Sequence, residues 1–174
     1  WELHHPMEMQ NYLFDQLMEA GEMHGLKLVG ARAQNWLRQE KSYRAFGTEL
    51  GRDATPLEAG LHRFVDLEKD FLGKERLVET GIRSTCVTLL IDGPDDADPW
   101  GREALYSGER RVGRLTSGGY SVAFGKSIGM GYIAPDQSTP GTQLHVKMQD
   151  RLWLAVVTED SPYDPKNENI RKDG

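Results

Sequence analysis

The stretch LHVKMQDRLWLAVV, residues 144–157, decides the class of fold. It holds two runs in which apolar and polar residues alternate around a polar turn, which is the pattern of a β-hairpin with one buried face. Two sets of alternate residues are expected to face the same core: Leu144, Val146 and Met148, followed by Leu152, Leu154 and Val156. The stretch therefore predicts a pair of antiparallel strands.

The same alternation spreads over the second half of the chain. Residues 85–91, TCVTLLI, alternate with a period of two, and residues 104–117, ALYSGERRVGRLTS, give further strand-like runs around a polar turn. Several short strands joined by turns are typical of antiparallel barrels and sandwiches. We therefore expect an antiparallel β-barrel domain over residues 82–174, of which the last part, from Ser161, is a polar tail.

The first part of the chain has a different pattern, in which helices and short strands alternate. The expected elements are strands over residues 1–5 and 26–30, and helices over residues 6–21, 31–43 and 71–81. Pro6 stands at a position that favours the start of a helix. The whole chain is therefore predicted as an α+β protein, with a partial α/β layer over residues 1–81 before the barrel.

Composition excludes several classes of protein. The 174 residues are 38% hydrophobic and 28% charged, which is the balance of a globular chain. The net charge of −6 argues against a general nucleic-acid partner, and no apolar run approaches the roughly 20 residues of a membrane span. The single Cys86 excludes an internal disulfide framework, and without a Cys/His cluster or an HExxH motif no metal ligand is predicted.

One carboxylate stands where an apolar residue is expected. In WLRQEKSYRAFGTEL, residues 36–50, helical spacing puts Trp36 and Glu40 on one face. A buried carboxylate needs a partner, and an ion pair with Arg44, one turn later, is the structural interpretation of Glu40. Arg38 lies about 200° from Glu40 around the helix, so it needs another partner, either an anionic ligand or a neighbouring strand.

Several motifs resemble one known family. WELHHP resembles the YELHVP-type strand of the glycine-cleavage T-protein (aminomethyltransferase) family. The tail SPYDPKNENIR resembles the ending of dimethylglycine and sarcosine dehydrogenases, whose C-terminal halves are T-protein-like. Further stretches continue the resemblance: LRQEKSYRAFGTEL, TPLEAGL, FLGKERL and GRLTSGGYSVAFGKSIGMGYI. The resemblance therefore covers essentially the whole chain.

The resemblance implies a function in one-carbon metabolism. In such dehydrogenases an N-terminal flavin domain oxidises an N-methyl amine, and the C-terminal half binds tetrahydrofolate and captures the one-carbon unit as 5,10-methylenetetrahydrofolate. The chain opens on Trp1 inside an apparent strand, so it is expected to be the C-terminal folate-binding region of a longer dimethylglycine or sarcosine dehydrogenase-like enzyme. FAD and the family's catalytic Asp are expected upstream, and these residues alone are expected to be inactive.

The family match also implies particular ligand contacts. Glu2 matches the Glu of the YELH strand, which contacts the pterin ring in the family, and Arg38 matches the Arg of the LRxE motif at the folate site. Tyr163 lies near the C-terminal aromatic residue that some members hold near the ligand. Glu40 matches a Glu whose role is expected to be structural, and no residue is assigned a catalytic role.

Other functions fit the same residues. The alternatives among enzymes are a fragment of a T-protein that acts on a lipoyl carrier and a folate-dependent demethylase, and the alternative outside enzymes is a non-catalytic folate-binding or interaction module. The expected partners are folate, a small N-methyl amine or aminomethyl donor and the N-terminal domains of the same protein, without nucleic acid or membrane. The expected location is the bacterial cytoplasm or the mitochondrial matrix, a reducing compartment that a single cysteine fits.

Overall fold

The computed structural model describes residues 1–94 and 97–172. Contacts within the chain divide it into two compact units, Trp1–Ala31 and Arg32–Gly174. The first unit is built on one helix, and the second is built on a β-barrel with short helices before and after it.

The first unit consists mainly of helix α1, Gln10–Glu22, which a one-turn 3-10 helix at Met7–Met9 precedes. The helix expected after Pro6 is therefore confirmed. Beyond α1 the chain reverses at Gly25, whose φ of +68° lies in the left-handed region that favours glycine. The N–H of Leu26 then donates to the carbonyl of Gly21 at 3.0 Å, which closes the end of the helix.

The two strands expected in this unit are not formed, because residues 1–5 and 26–30 have irregular backbone. Extended segments become strands only where a neighbouring strand takes up their backbone hydrogen bonds. Within residues 1–94 and 97–172, no strand pairs with either segment. The prediction is wrong for both segments, since alternating composition without a partner does not make a strand.

Helix α2, Ala31–Glu40, ends before the predicted end at Tyr43. The cause is Ser42, whose φ of +53° is left-handed, and the N–H of Tyr43 donates back to the carbonyl of Arg38 at 2.8 Å. This bond is part of the Schellman motif that closes many helices. The buried hydroxyl of Ser42 shares a 2.7 Å hydrogen bond with Thr88 Oγ1, which holds the serine in a conformation that usually belongs to glycine.

Six antiparallel strands form a closed barrel in the second unit. In chain order they are β1 (Thr85–Ile91), β2 (Ala104–Ser107), β3 (Arg110–Ser121), β4 (Lys126–Ile133), β5 (Gln143–Met148) and β6 (Arg151–Val157). Around the barrel the order is β1-β4-β3-β2-β5-β6, and β6 pairs with β1 to close it. The predicted barrel and the predicted α+β class are confirmed.

The inner face of the barrel forms the hydrophobic core. The members of this core that are at most 1% exposed come from all six strands: Leu89, Ile91, Leu105, Leu115, Ile133, Leu144, Val146, Ala155 and Val157. Their burial removes apolar surface from water, which is the main favourable contribution to folding. The main core of this unit therefore lies inside the barrel, and the outer face buries Ile128 and Met130 of β4 beside its polar contacts.

The hairpin β5–β6 has a different inner face from the predicted one. Its turn is the residue pair Gln149 and Asp150, both with positive φ, so Leu144 lies opposite Ala155. Partners in a ladder face the same side, and the inner residues of β6 are therefore Trp153, Ala155 and Val157. The prediction of Leu152, Leu154 and Val156 on the inner face is wrong, and Leu152 is 56% exposed.

Two more helices belong to the second unit. Helix α3, Lys74–Thr80, confirms the helix expected over residues 71–81 in a shorter form, and Gly81 ends it with a φ of +62°. Helix α4, Glu168–Arg171, lies in the polar tail. The predicted domain boundary between residues 81 and 82 falls in the connection from α3 to β1, and it stays a prediction.

Candidate functional site

Three buried carboxylates attach residues 36–58, the anchoring segment, to the rest of the second unit. Glu40, Glu49 and Glu58 are 4%, 1% and 0% exposed. A buried carboxylate is costly unless it is paired or hydrogen-bonded, so each of them identifies a point at which the chain has arranged donors. The sequence prediction singled out only Glu40. The motifs that carried the family resemblance, however, include all three.

Glu40 lies at the end of α2 and is held by strand β3 and the turn after it. Its Oε1 accepts a hydrogen bond from Ser121 Oγ at 2.5 Å and another from the N–H of Ala123 at 3.2 Å. The predicted ion pair with Arg44 is wrong, because the helix ends before Arg44 and its guanidinium donates to Asp160 at 2.8 Å. Glu40 is nevertheless buried and has partners, as a carboxylate on the face of Trp36 requires.

Arg38 is fixed by four hydrogen bonds to oxygen atoms, and its Nη1 also lies 3.8 Å from the sulfur of Met130. Its Nε donates to Asn35 Oδ1 and its Nη1 donates to the carbonyl of Tyr43 and to Glu49 Oε2, each at 2.9 Å, while Nη2 donates to Ser117 Oγ at 2.7 Å. The side chain is 15% exposed. A guanidinium has five N–H groups, and the remaining one, on Nη2, has no acceptor among residues 1–94 and 97–172. Arg38 therefore has a partner on a neighbouring strand, Ser117 of β3, which was one of the two predicted alternatives.

Glu49 holds Arg38 in place. Besides the ion pair with Arg38, its oxygens accept hydrogen bonds from Ser117 Oγ, Thr116 Oγ1, Thr48 Oγ1 and Ala45 N. Burial raises the pKa of Glu49, but the hydrogen bonds, led by that from Ser117, prevail and hold the pKa below its ordinary value. The carboxylate is therefore ionised at neutral pH, and Arg38, Glu49 and Ser117 form a closed triangle of charge-assisted bonds.

Glu58 forms the third attachment. Arg83 binds it in a two-pronged geometry, with Nε and Nη2 each 3.0 Å from one carboxylate oxygen, and the N–H of Thr55 adds a bond at 2.8 Å. The hydrogen bond from Arg83 is the largest cause that lowers the pKa of Glu58 to about 2. The carbonyl of Glu58 also accepts a hydrogen bond from the N–H of Cys86 at the start of β1. Glu58 thus joins the anchoring segment to the barrel.

Tyr163 lies in the tail, against the end of α2. Its N–H donates to the carbonyl of Glu40 at 3.0 Å, and its hydroxyl is 3.2 Å from Asn169 Nδ2. Lys41 Nζ binds the same stretch of tail through the carbonyls of Tyr163 and Asp164. Tyr163 is 38% exposed. The structure thus brings Tyr163 and Arg38, which the sequence predicted separately, to the same last turn of α2.

Glu2 belongs to the first unit and is exposed. Its side chain is 84% exposed, and its Oε1 lies 3.5 Å from Nε2 of the equally exposed His4. An exposed carboxylate of this kind is fully solvated and free to meet a ligand or to remain a surface group. The predicted contacts of Glu2, Arg38 and Tyr163 with a ligand stay predictions.

The described residues of the second unit offer hydrogen bonds and charge rather than a nucleophile. Burial raises the pKa of the Cys86 thiol to about 12, so the thiol stays protonated and unreactive at neutral pH. Burial also raises the pKa of Tyr132, whose hydroxyl donates to the carbonyl of Glu49 at 2.8 Å. Across residues 1–94 and 97–172, no group of histidine, cysteine and acidic side chains could hold a metal ion. None of the helices in these ranges is long and apolar enough to span a membrane.

Comparisons with known protein families and with solved structures both relate the chain to glycine cleavage T-proteins. The model of the GCVT N-terminal domain matches residues 1–69, and the model of the glycine cleavage T-protein C-terminal barrel domain matches residues 85–164. A solved structure, the glycine cleavage system aminomethyltransferase T from Bartonella henselae, has the same fold, with a TM-score of 0.79 over 92% of this chain and 45% of that chain. Its sequence identity is 23%.

Curated relatives align over nearly all of the chain. The mitochondrial dimethylglycine dehydrogenase of Homo sapiens is 36% identical over 181 residues, which is 100% of this chain and 21% of that protein. An aminomethyltransferase of Caldanaerobacter subterraneus is 32% identical over 94% of this chain and 44% of that protein. The chain thus spans less than half the length of these relatives. Two matching domain models and relatives of this similarity mean that the chain belongs to the glycine cleavage T-protein family.

Proposed function

We propose that the chain forms a tetrahydrofolate-binding region of an enzyme that captures a one-carbon unit from an N-methyl amine as 5,10-methylenetetrahydrofolate. The observation that carries the proposal is the 36% identity to dimethylglycine dehydrogenase over the full length of the chain. The name of that relative specifies an N-methyl amine, and the name of the aminomethyltransferases specifies a one-carbon fragment on an amine. A one-carbon unit on an amine nitrogen is common to both names.

The described residues offer the groups that such a ligand needs. Bound tetrahydrofolate would supply the two nitrogens that accept the one-carbon unit. Its pterin edge presents N–H groups to an acceptor and its tail presents carboxylates to a cation. Glu2 is a solvated carboxylate, Arg38 is a cation with one N–H group left without an acceptor in the described part of the chain, and Tyr163 presents a partly exposed ring.

Arg38 would donate its remaining Nη2–H to an oxygen of the folate. Because Asn35, Tyr43, Glu49 and Ser117 already hold the other N–H groups, little side-chain entropy is lost when the ligand binds. Glu49 and Ser117 would act as positioning residues, since they orient the guanidinium and do not themselves meet the ligand.

Glu2 would accept hydrogen bonds from the N–H groups of the pterin. Such bonds to a charged acceptor are stronger than bonds between neutral groups. Orientation of the folate nitrogens relative to the amine carbon is the contribution proposed for these residues, and good orientation can lower a barrier by several kcal/mol. Amine oxidation with FAD, and the family's catalytic Asp, are proposed for parts of the protein outside these residues.

A turnover assay tests the proposal. The full-length protein is mixed with dimethylglycine or sarcosine, an artificial electron acceptor and tetrahydrofolate, and 5,10-methylenetetrahydrofolate is measured by chromatography. We expect its formation above the rate at which free formaldehyde and tetrahydrofolate combine. Formation at the uncatalysed rate, with normal amine oxidation, would contradict a folate function for this region.

A second candidate is the aminomethyltransferase of glycine cleavage, because relatives of that name cover 94% of the chain at 32% identity. The same assay with an aminomethyl-lipoyl carrier protein in place of the free amine separates the two. Turnover of the carrier alone would favour the aminomethyltransferase. The bacterial cytoplasm or the mitochondrial matrix stays the predicted location.

A further inference from the structure

The start of the polar tail is attached to the turn that ends α2. Just before the tail, Asp160 accepts a hydrogen bond from the guanidinium of Arg44 at 2.8 Å. The N–H of Ser161, the first residue of the tail, donates to the buried hydroxyl of Ser42 at 2.9 Å. The chain that leads to Tyr163 is therefore fixed at both of these points.

Lys41 holds the next part of the tail with its ammonium group. Its Nζ lies 3.2 Å from the carbonyl of Tyr163, 2.5 Å from that of Asp164 and 2.7 Å from Asn167 Oδ1. An ammonium group has three donors and no acceptor, so these three oxygens use its whole capacity for hydrogen bonds. None of the three oxygens carries a formal charge. The contact therefore depends on how the backbone of the tail places its oxygens around Nζ.

The backbone that supplies these oxygens has an unfavourable conformation. Ser161, Asp164 and Asn167 have φ values of +56°, +46° and +58°, which lie in the left-handed region that residues with a side chain disfavour. Such a conformation persists where the surrounding contacts determine it. Residues 161–169 are at most partly buried, so the contacts that determine their conformation are mainly polar, and Lys41 makes three of them.

Residues 163–169, the tail turn, also hold the ring of Tyr163. The carboxylate of Asp164 accepts hydrogen bonds from the N–H groups of Glu168 and Asn169, at 2.7 and 3.1 Å, which fixes the start of α4. Asn169 Nδ2 then donates to the hydroxyl of Tyr163 at 3.2 Å. The tail turn thus joins the contact of Lys41 with the backbone of Tyr163 to the contact of Asn169 with its ring.

We propose that Lys41 is a positioning residue of the folate site, because it holds the tail turn against the end of α2 and so keeps the ring of Tyr163 in place for the ligand. This inference rests on the proposed folate function. Lys41 has no donor left for a ligand, so its effect on folate passes through Tyr163. The N–H of Lys41 donates to the carbonyl of Arg38 at 3.2 Å, so both proposed ligand residues are attached to the same end of α2.

Limited proteolysis of the full-length protein tests whether Lys41 holds the tail turn. Trypsin cleaves after lysine, and the exposed Lys166 lies within the turn. Lys41→Met removes the donors of the ammonium group, so cleavage after Lys166, followed by mass spectrometry, should be several-fold faster than in wild type. Lys69→Met, at an exposed position outside the tail, is the control and should keep the wild-type rate. Equal rates in Lys41→Met and wild type would overturn the proposal.

Calorimetric titration of the full-length protein with tetrahydrofolate tests whether Lys41 acts through Tyr163. Lys41→Met should weaken binding by about two- to tenfold, the scale of one aromatic contact, and Tyr163→Ala should weaken it at least as much. Lys41→Met added to Tyr163→Ala should weaken it no further, since the ring that Lys41 positions is already gone. A general loss of structure in Lys41→Met would instead weaken binding in both backgrounds.

Asn167→Gly is a milder second variant. Glycine adopts the positive φ of this position, and only one acceptor of Lys41 is lost. This variant should weaken tetrahydrofolate binding to a smaller extent than Lys41→Met. Circular dichroism of each variant establishes that it is folded.

The outcomes separate this inference from the proposed function. Wild type that does not bind tetrahydrofolate would overturn both. Binding by wild type with equal affinity in Lys41→Met, or with losses that add up in the double variant, would overturn the role of Lys41 and leave the folate function in place.

Discussion

Single residues of the anchoring segment differ in the donors that hold their carboxylates. Glu58 has a two-pronged arginine, Glu49 has an arginine and three hydroxyls, and Glu40 has one hydroxyl and one backbone N–H. A donor that carries a charge stabilises an ionised carboxylate more than a neutral donor does. The three residues should therefore respond differently to acid and to substitution.

Stability should fall in acid because of Glu58. Its folded pKa of about 2 is below the unfolded value of 4.5, so its contribution is fully present above pH 4.5 and is lost as the pH falls towards 2. Since Arg83 is 60% exposed, solvent screens the pair, and we expect a loss of about 1–2 kcal/mol. Urea unfolding between pH 6 and pH 2.5 measures it.

Glu58→Gln should be less stable than wild type at neutral pH and should lose less stability in acid. Glu109→Gln, at an exposed position in the β2–β3 turn, is the control and should keep the wild-type profile. If the free energy of unfolding falls with pH in parallel for Glu58→Gln and wild type, protonation of Glu58 does not cause the loss of stability in acid.

Ser121→Ala should leave the Glu40 carboxylate short of a donor inside the protein. The hydroxyl donates at 2.5 Å, and both residues are buried. A buried acceptor that loses its partner costs about 1–3 kcal/mol, and we expect that loss in the free energy of unfolding. Thr139→Ala, at an exposed position, should change little. A Ser121→Ala protein with wild-type stability would mean that water replaces the hydroxyl.

Glu2→Gln should weaken tetrahydrofolate binding to the full-length protein. The loss of a hydrogen bond to a charged group is worth about 1–3 kcal/mol, and calorimetry measures it directly. Stability should not change, because Glu2 is 84% exposed. Glu8→Gln, also at an exposed position, is the control. Equal folate affinity in Glu2→Gln and wild type would make Glu2 a surface residue without a ligand contact.

At the scale of elements, α2 and strand β3 approach closely at one glycine. A Cβ built on Gly119 would collide with the indole ring of Trp36, so Trp36 packs directly on the backbone of the strand. Gly119→Ala should displace the ring and destabilise the protein by about 1–3 kcal/mol. Gly51→Ala is the control, because a Cβ there meets no atom within 4 Å. Equal melting temperatures of the two variants would contradict this packing.

The elements that the sequence predicts correctly are those whose pattern repeats locally. Alternation over β1 and over the β2–β3 pair, and helical spacing over α1, each reflect one face against a core. The inner face of β6 is missed because the length of the turn, not the composition of the strand, fixes which alternate set points inward. Residues 1–5 are missed because a strand depends on a partner that composition does not reveal.

At the scale of the whole molecule, the partners of the candidate site residues are beyond sequence reasoning. Ser117 lies 79 residues from Arg38, and Ser121 lies 81 residues from Glu40. Only the closed barrel brings these residues together. Helical geometry compares residues within a turn or two of each other, which is why it pointed to Arg44 as the partner of Glu40. The family motifs identified Arg38 as a candidate, but its network with Glu49 needed the folded chain.

The 174-residue chain alone should not catalyse one-carbon transfer. Glu40, Glu49 and Glu58 are engaged in the structure, and none is available for acid–base chemistry. We expect the purified chain, mixed with tetrahydrofolate and formaldehyde, to give 5,10-methylenetetrahydrofolate at the uncatalysed rate. The full-length protein is the positive control. Clear turnover by the chain, lost in Arg38→Ala, would mean that the chemistry lies within these residues.

The large sequence separation between the anchoring segment and strand β3 also determines when the segment can pack on the barrel during folding. The β2–β3 and β5–β6 hairpins close locally, whereas contacts across 79 and 81 residues carry a large loop-closure entropy and form late. Losing one of these contacts should therefore speed unfolding and leave the refolding rate almost unchanged. On the ribosome the segment emerges before β3 has been synthesised, so its buried contacts with Ser117 and Ser121 can form only after that strand is available.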